Sequence, residues 1–401
     1  MTDTTAEVVV VGGGPAGLTA AIALAGAGIE TALVAMAPAV HDNRTTALLA
    51  GTVTALETLR VWPRCADQAA PLKRMRLVDD TARLLRAPEV CFEAAEIGLP
   101  AFGYNIENRH LLAALESRAR ELPKLTMIVA KADTVTIAET DVSIALHGGG
   151  RVTAKLAIGA DGRRSLCRAA AGIETERQSY PQTALTFNLA HARPHGDTST
   201  EFHTESGPFT LVPLPGMRSS LVFVASPADV PRLTALAENE LAGEIEPRSH
   251  SLLGKITIEA GRGVFPLASE IARRVGQNRI ALVGEAAHLM PPIGAQGLNL
   301  GLRDAATIGE LVVAERRDGG DVGSAAVTDR YEHMRRADIT SRSLAVDLLN
   351  RSLLSDFLPL QGARGLGLYL LDQIGPLRRA VMREGVAPAA SQPRLMRGEA
   401  L

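Results

Sequence analysis

The chain has 401 residues, enough for two or three domains with sizeable cores. Its 42 basic and 44 acidic side chains leave a net charge of −2, which argues against nucleic acid as the principal partner. Three cysteines, Cys65, Cys91 and Cys167, lack metal-ligand spacing, so a reducing cytosolic setting and no metal site are expected.

The start, Met1-Thr2-Asp3-Thr4, carries no basic region of a signal peptide. No apolar run reaches the roughly 18 residues that a membrane span needs. Val8 to Val11 reads as a buried parallel strand, and Thr19 to Gly28 reads as a helix, with Leu18, Ile22 and Leu24 at helical spacing. Between them stands Gly12-Gly13-Gly14-Pro15-Ala16-Gly17, the strand–turn–helix context that a dinucleotide fingerprint requires. Gly12 allows the turn, Gly14 lets a pyrophosphate reach the backbone, and Gly17 lets helix and strand pack closely. Phosphates would then meet free N–H groups at the helix N-terminus. The second strand, Glu30 to Val34, should be followed by an acid for the adenosine ribose, but Ala35 stands there. Another group or water must take the ribose, which weakens the case for ordinary NAD binding here.

Further along, Ala50 to Leu59 and Arg109 to Leu122 read as helices, and Thr126 to Val129 and Val142 to Leu146 as strands. Leu156-Ala157-Ile158 leads into Gly159-Ala160-Asp161-Gly162-Arg163-Arg164-Ser165 and then a helix from Ser165 to Ala171. Between about residues 176 and 265 the text alternates and is rich in turns, as in Thr183 to Ala190, Phe209 to Pro213 and Ser220 to Ala225. That pattern predicts an inserted antiparallel sheet. Ile280 to Val283 returns to a buried strand and opens onto Gly284-Glu285-Ala286-Ala287-His288. Pro291-Pro292-Ile293-Gly294-Ala295-Gln296-Gly297-Leu298-Asn299 follows, then a helix through Leu302, Ala306 and Leu311, and the last seventy residues read as mostly helical. The expected fold is α/β, a Rossmann-like nucleotide-binding domain (1–75, 105–175 and 266–330) with an inserted antiparallel substrate domain (76–104 and 176–265) and a helical C-terminal region (331–401).

Taken in order, these three glycine motifs resemble the FAD-dependent aromatic hydroxylases, the group A flavoprotein monooxygenases. The run Gly297-Leu298-Asn299-Leu300-Gly301-Leu302-Arg303-Asp304 most resembles their ubiquinone-biosynthesis branch. The likeness implies that Gly12, Gly14, Pro15, Ala16 and Gly17 hold the FAD pyrophosphate, with Asp161 and Gly162 serving FAD and the approach of NAD(P)H. Asp42-Asn43-Arg44-Thr45-Thr46-Ala47 resembles the loop whose arginine, here Arg44, faces the phosphates or ribityl chain, with Thr45 and Thr46 beside it. Glu107-Asn108-Arg109 resembles the segment whose arginine, here Arg109, reaches the pyrophosphate. For both arginines a surface salt bridge is the alternative. Gly284 and Glu285 stand where the family usually has Gly-Asp, and Glu285 would bond the ribityl hydroxyls. Pro292, Gly294, Ala295, Gln296, Gly297, Leu298 and Asn299 would border the flavin, with Pro291 as a pocket wall. A helix N-terminus aimed at the flavin pyrimidine edge would stabilise the negative charge of the reduced ring. His288 reads as a structural histidine rather than a base.

No protein nucleophile stands out, as expected if the cofactor does the hard chemistry. The resemblance implies FAD, O2, and NAD(P)H or a protein electron donor as reductant. In the family, reduced FAD and O2 give a C4a-hydroperoxide that attacks an electron-rich phenol, here a polyprenylated one. Phe209 and Phe223 are candidates for lining that pocket, with core packing as the alternative. Other ubiquinone-biosynthesis proteins are expected partners, in the cytoplasm and peripheral to the inner membrane. Leu348, Leu349, Leu353, Leu354, Phe357 and Leu358 form one apolar string, and Leu366, Leu368, Tyr369, Leu370 and Leu371 another, with Arg378, Arg379 and Arg383 close behind. Such a surface suits an anionic bilayer, and packing onto the FAD domain is the alternative for the first string.

Rival readings stay open. A prenyl-lipid reductase or epoxidase shares the FAD motifs, a hydroxylase of another small aromatic would too, and a non-enzymatic flavoprotein remains, because fold alone does not fix function. A flavin halogenase is disfavoured, since its Trp-x-Trp motif needs more than the single Trp62. Gly362-Ala363-Arg364-Gly365-Leu366-Gly367 lacks a preceding strand and reads as a helix break rather than a second nucleotide site.

Overall fold

The computed structural model describes residues 3–37, 44–82, 86–292, 294–354, 373–386 and 392–401, together with 365, 367 and 369–371. Val8–Val11 lies inside a six-stranded sheet, with Thr31–Ala35 and Leu156–Gly159 pairing parallel to it on either side. Leu125–Val129 extends one side, and Ile280–Leu282 then the antiparallel Gly276–Gln277 extend the other. All four valines of Val8–Val11 are buried, with the Pro15–Gly26 helix and the Arg151–Ala154 strand of a small four-stranded sheet both packed against them. Parallel pairing brings the carboxyl ends of Val8–Val11, Leu156–Gly159 and Ile280–Leu282 to one edge of the sheet. All three glycine motifs leave from that edge, where α/β sheets bind ligands.

The inserted sheet has nine strands among the described residues. Its longest, Thr175–His191, pairs antiparallel with Arg218–Ala225 on one side and Gly263–Ala272 on the other. Gly207–Leu214, Thr198–Thr204, Arg74–Asp79 and Val90–Glu93 follow in order beyond Arg218–Ala225. The expected boundary at 266 falls inside Gly263–Ala272, whose ladder to Thr175–His191 continues as far as Ala272.

Period-two alternation decides what each face of this sheet does. Leu185, Phe187 and Leu189 share a buried cluster with Phe202, Phe209, Phe223 and the helical residues Leu233, Leu241 and Ile245. Phe209 sits opposite Phe223, and Phe223 opposite Leu185, so all three point to the helix-covered face. The pocket expectation for Phe209 and Phe223 is therefore corrected: their rings meet edge-to-face at 5.4 Å inside the core. The opposite face looks toward the nucleotide-binding unit, where Asn188 Nδ2 donates to Glu107 at 3.1 Å.

The C-terminal region is helical over Ala325–Leu354 and Gly375–Val386. It is not a separate body. The buried Tyr331 hydroxyl donates to the Leu282 carbonyl at 2.7 Å, and Leu395 and Met396 return to the core of the nucleotide-binding sheet. No helix among the described residues is long and apolar enough to cross a membrane. Apart from residues 365 and 367, the Gly362–Gly367 stretch lies outside the described residues, as do Asp42, Asn43, Phe357 and Leu358.

Candidate flavin site

The carboxyl edge of the parallel sheet opens into a groove with two chambers. The outer one, about 810 Å³, is lined by Gly12 to Pro15, Ala35, Lys131, Asp133, Asp161 and Arg164. The inner one, about 400 Å³, is lined by Ala16, Gly17, Thr45, Thr46, Gly162, Gly284, Glu285, Gly297 and Leu298. Gly14, Pro15, Arg44, Asn108 and Ala160 border both, so the groove is continuous.

The fingerprint glycines are glycine for different reasons. A Cβ on Gly12, whose φ is +115°, would lie 2.2 Å from the Ala160 carbonyl oxygen, and one on Gly17 would lie 2.0 Å from the Gly12 oxygen. The protein itself demands those two. A Cβ on Gly14 would meet nothing within 4 Å, and its φ of −71° suits any residue. Only something occupying the groove can require Gly14 to be glycine.

The second glycine loop lies against the first. A Cβ on Gly301 would come within 3.0 Å of Gly284 Cα and 3.5 Å of Ala16 Cβ, so glycine lets the Gln296–Arg317 helix press onto both loops. The N-termini of the Pro15–Gly26 and Gln296–Arg317 helices thus face one cleft, and neither has an acidic residue in its first turn. Ala295 is the helix N-cap at φ +54°, a left-handed conformation that costs a non-glycine residue about 1 kcal/mol or more.

Several motif side chains turn out to position the loop rather than face the groove. Buried Asn299 accepts from the Leu49 N–H at 2.8 Å and donates to the Ala47 and Ala295 carbonyls at 2.8 and 2.6 Å. Its side chain is committed to the backbone, which corrects its expected place as a cofactor ligand. Gln296 donates to the Gly294 carbonyl at 3.0 Å and accepts from Arg342 at 2.8 Å. Pro291 is buried and Pro292 exposed. Thr46 donates to Asn108 at 2.7 Å, and Thr45 to Ser220 at 2.9 Å, tying this wall to the antiparallel sheet. Arg109 pairs with buried Glu107 at 3.0 Å, while its neighbour Asn108 supplies the groove wall. Arg44 lies 5.9 Å from the Phe265 ring centre, at the junction of the two units.

Asp161 accepts the Leu166 and Cys167 N–H groups at 2.7 and 3.2 Å, so one carboxylate oxygen starts the following helix. Arg163 pairs with Glu285 across the groove mouth at 3.3 Å. Arg168, which sequence reading passed over, donates to the Ala286 carbonyl at 2.9 Å and to the Arg163 carbonyl at 2.6 Å. It bridges the acidic turn to the flavin loop.

Sequence reading also left Asp304 without a role. Its fully buried carboxylate accepts from the Gly284 N–H at 3.1 Å, His288 Nε2 at 2.6 Å and Arg335 Nε at 2.7 Å. Burial alone would push this carboxyl up, but His288 and Arg335 outweigh it and hold it below the ordinary carboxylate range. His288 has no side-chain exposure, and its Nε2 lies 2.6 Å from Asp304. Asp338 joins the cluster through Arg303, Arg335 and Arg342 at 2.7–2.8 Å. Burial pushes the Cys65 thiol up to about 11 and the Cys167 thiol well above its usual value, which disfavours the reactive thiolate at both. No cluster among the described residues could hold a metal ion.

A groove of this length, with open space at Gly14, two unblocked helix N-termini and bare backbone at Gly297, fits an extended dinucleotide with a planar ring at the inner end. Those features define an α/β flavoprotein. The chain belongs to the FAD binding domain family, whose profile matches residues 5–342. Among curated proteins it is 36% identical to the ubiquinone hydroxylase UbiL of Rhodospirillum rubrum, covering 99% of this chain and 94% of that one. It is 33% identical to the 3-demethoxyubiquinol 3-hydroxylase of Escherichia coli, covering 96% and 99%. Among solved structures the fold is similar to the p-nitrophenol 4-monooxygenase PnpA of Pseudomonas putida, with TM-score 0.79 at 19% identity over 96% of this chain and 98% of that one. Klebsiella pneumoniae HpxO, solved with FAD, superposes with TM-score 0.76 at 19% identity over 96% and 97%.

Gly14→Val should give a folded protein with the unfolding midpoint of the apoprotein and little flavin absorbance, because its side chain meets only the ligand. Gly17→Ala should instead lower yield and thermal midpoint whether or not FAD is added. For the ion cluster, Asp304→Ala removes one of the two carboxylates paired with buried Arg335 and strips the Gly284 N–H of its acceptor, and should cost about 3–5 kcal/mol in urea unfolding at neutral pH. Because the folded Asp304 carboxyl is depressed, its contribution is fully present above the unfolded value of roughly 3.9 and is lost as pH falls through the folded one. Wild type should therefore lose stability more steeply below about pH 4 than the alanine variant does.

Proposed function

We propose that this protein is an FAD-dependent monooxygenase that hydroxylates the aromatic ring of a polyprenylated phenol in ubiquinone biosynthesis. The observation that carries the reading is the inner chamber joined to near-full-length similarity with two ubiquinone-pathway hydroxylases. Bound FAD supplies the redox and oxygen-activating chemistry. Gly12 to Gly17 would take the pyrophosphate at the first helix N-terminus, with Arg44 beside it. Glu285 would accept hydrogen bonds from the ribityl hydroxyls while Arg163 holds it in place. Gly297 and Leu298 would present bare backbone to the ring, and the second helix N-terminus would stabilise negative charge at its pyrimidine edge. Asn299, Arg168 and Asp304 act on this arrangement from behind by fixing the loops. NAD(P)H or a protein donor supplies the electrons, and the Gly159 to Arg164 turn offers the donor an approach.

Isotopically labelled O2 tests the reaction. With FAD, a reductant and a prenylated phenol, one labelled oxygen atom should appear on the ring. Label arriving from water, or a reduced or epoxidised prenyl chain with an untouched ring, would favour the reductase or epoxidase reading.

The protein is further proposed to work at a membrane surface. Leu370, Ile374, Leu377 and Val381 are all exposed, and Arg379 and Arg383 flank them. Backbone bonds from Ile374 to Leu370 and from Arg378 to Ile374 tie these positions together at four-residue spacing. Its opposite face is anchored: Met382 and Val386 pack with Ala94 and Phe102, and Arg378 pairs with Glu96 at 2.7 Å. An apolar stripe bordered by cations suits an anionic bilayer. Truncating the chain would also remove Leu395 and Met396 from the core, so surface changes are the cleaner test. Replacing Ile374 and Leu377 together by Ser should abolish sedimentation with anionic liposomes while FAD stays bound; undiminished sedimentation would refute the membrane role.

A further inference from the structure

With pyrophosphate at Gly14, the adenosine end of a dinucleotide falls in the outer chamber, where Ala35 stands in place of the acid expected for the ribose. Position 35 does abut the fingerprint turn: a Cβ on Gly13 would come within 2.7 Å of the Ala35 methyl. A methyl accepts no hydrogen bond. The neighbouring strand, however, ends beside it. Ala35 lies opposite Val129 in the parallel ladder, and the Ala130 N–H donates to the Ala35 carbonyl at 3.1 Å. Beyond Ala130 the chain continues the same chamber wall through Lys131, Ala132 and Asp133.

Asp133 is the extra residue of a β-bulge. In the ladder between Ala132–Ile137 and Val142–Leu146, Ala132 faces Leu146 and Thr134 faces Ala145, so Asp133 has no residue opposite it. Bulges re-aim a side chain and recur beside binding sites. Asp133 Oδ2 lies 2.9 Å from His147 Nδ1, and the His147 backbone N–H donates to the Lys131 carbonyl at 2.9 Å. The carboxylate is thus oriented through one oxygen while the other is left to accept. Asp161, the other carboxylate of this chamber, follows Leu156–Gly159 and so lies on the far side of Val8–Val11 from Ala35. Asp133 is the acid on the ribose side.

We infer that Asp133 takes over the role of the missing strand-end acid, accepting the adenosine ribose hydroxyls and giving this chain its preference for FAD over FMN. The inference rests on FAD filling the groove, as the proposed function requires, and is independent of which ring is hydroxylated.

The full-length protein is loaded with FAD or with FMN, and each dissociation constant is read from flavin fluorescence on serial dilution. FMN has no adenosine, so it reports everything in the groove except the ribose contact. Asp133→Ala should weaken FAD about tenfold or more, the loss of a hydrogen bond to a charged acceptor, and leave FMN unchanged. Its surface pair with His147 is worth too little for the change to threaten folding, and an unaltered thermal midpoint of the flavin-free chain checks this. Adding Ala35→Glu to that variant should recover FAD affinity by restoring an acid at the usual place, a rescue that a merely structural Asp133 would not show. Unchanged FAD affinity in Asp133→Ala, or an equal loss for FAD and FMN, overturns the inference and leaves the flavin reading standing. Wild type that takes up neither flavin overturns both.

Discussion

The carboxylate of Asp304 is the fixed point of the site. It lies one turn beyond Gly301, where the Gln296–Arg317 helix passes under the flavin loop, and it holds that loop through Gly284 and His288. A carboxylate with no solvent contact survives only when paired and fully hydrogen-bonded. Arg335 meets that condition from the long C-terminal helix. The charge that positions the flavin loop is thus balanced from a different part of the chain, and Asp338 extends the balance to Arg342 and so to Gln296. Loop, helix and C-terminal region share one electrostatic unit.

The glycine loops depend on the same packing. Gly284 and Gly301 approach Ala16 closely, so the dinucleotide helix and the flavin loop cannot shift independently. Arg168 adds a third tie by holding the acidic turn to the Ala286 carbonyl. Such a frame suits a site whose reactive group is a bound cofactor, because the protein's contribution is then orientation and preorganised charge rather than a nucleophile.

Most of the groove was legible in the sequence, because strand–glycine–helix signals are local and carry their own geometry. Gly12 to Gly17, Asp161-Gly162 and Gly284-Glu285 all reach the same sheet edge, as their shared position after buried strands implies. What stayed hidden is long-range. Asn299 reads as a ligand until its partners, Leu49 and Ala47, come from 250 residues away. Asp304 and Arg335 carry no local sign of their pairing, since spacing within a helix says nothing about a partner on another one. Phe209 and Phe223 show a limit of another kind: alternation reveals that a strand has two faces, but not which of them the helices cover.

The interleaving of the two units bears on how the chain reaches its native state. Arg74–Asp79 pairs in parallel with Thr198–Thr204, and Leu156–Gly159 completes its parallel pairing only when Ile280–Leu282 arrives. Neither sheet can close on residues that are contiguous in sequence. Pairings of such long separation make folding slow, because loop-closure entropy is lost before the contacts form. During synthesis the early strands must wait with unpaired edges, the state most exposed to misassembly. The discontinuity that joins a substrate sheet so tightly to its nucleotide-binding frame therefore implies a late, concerted folding step, rather than one lobe maturing before the other.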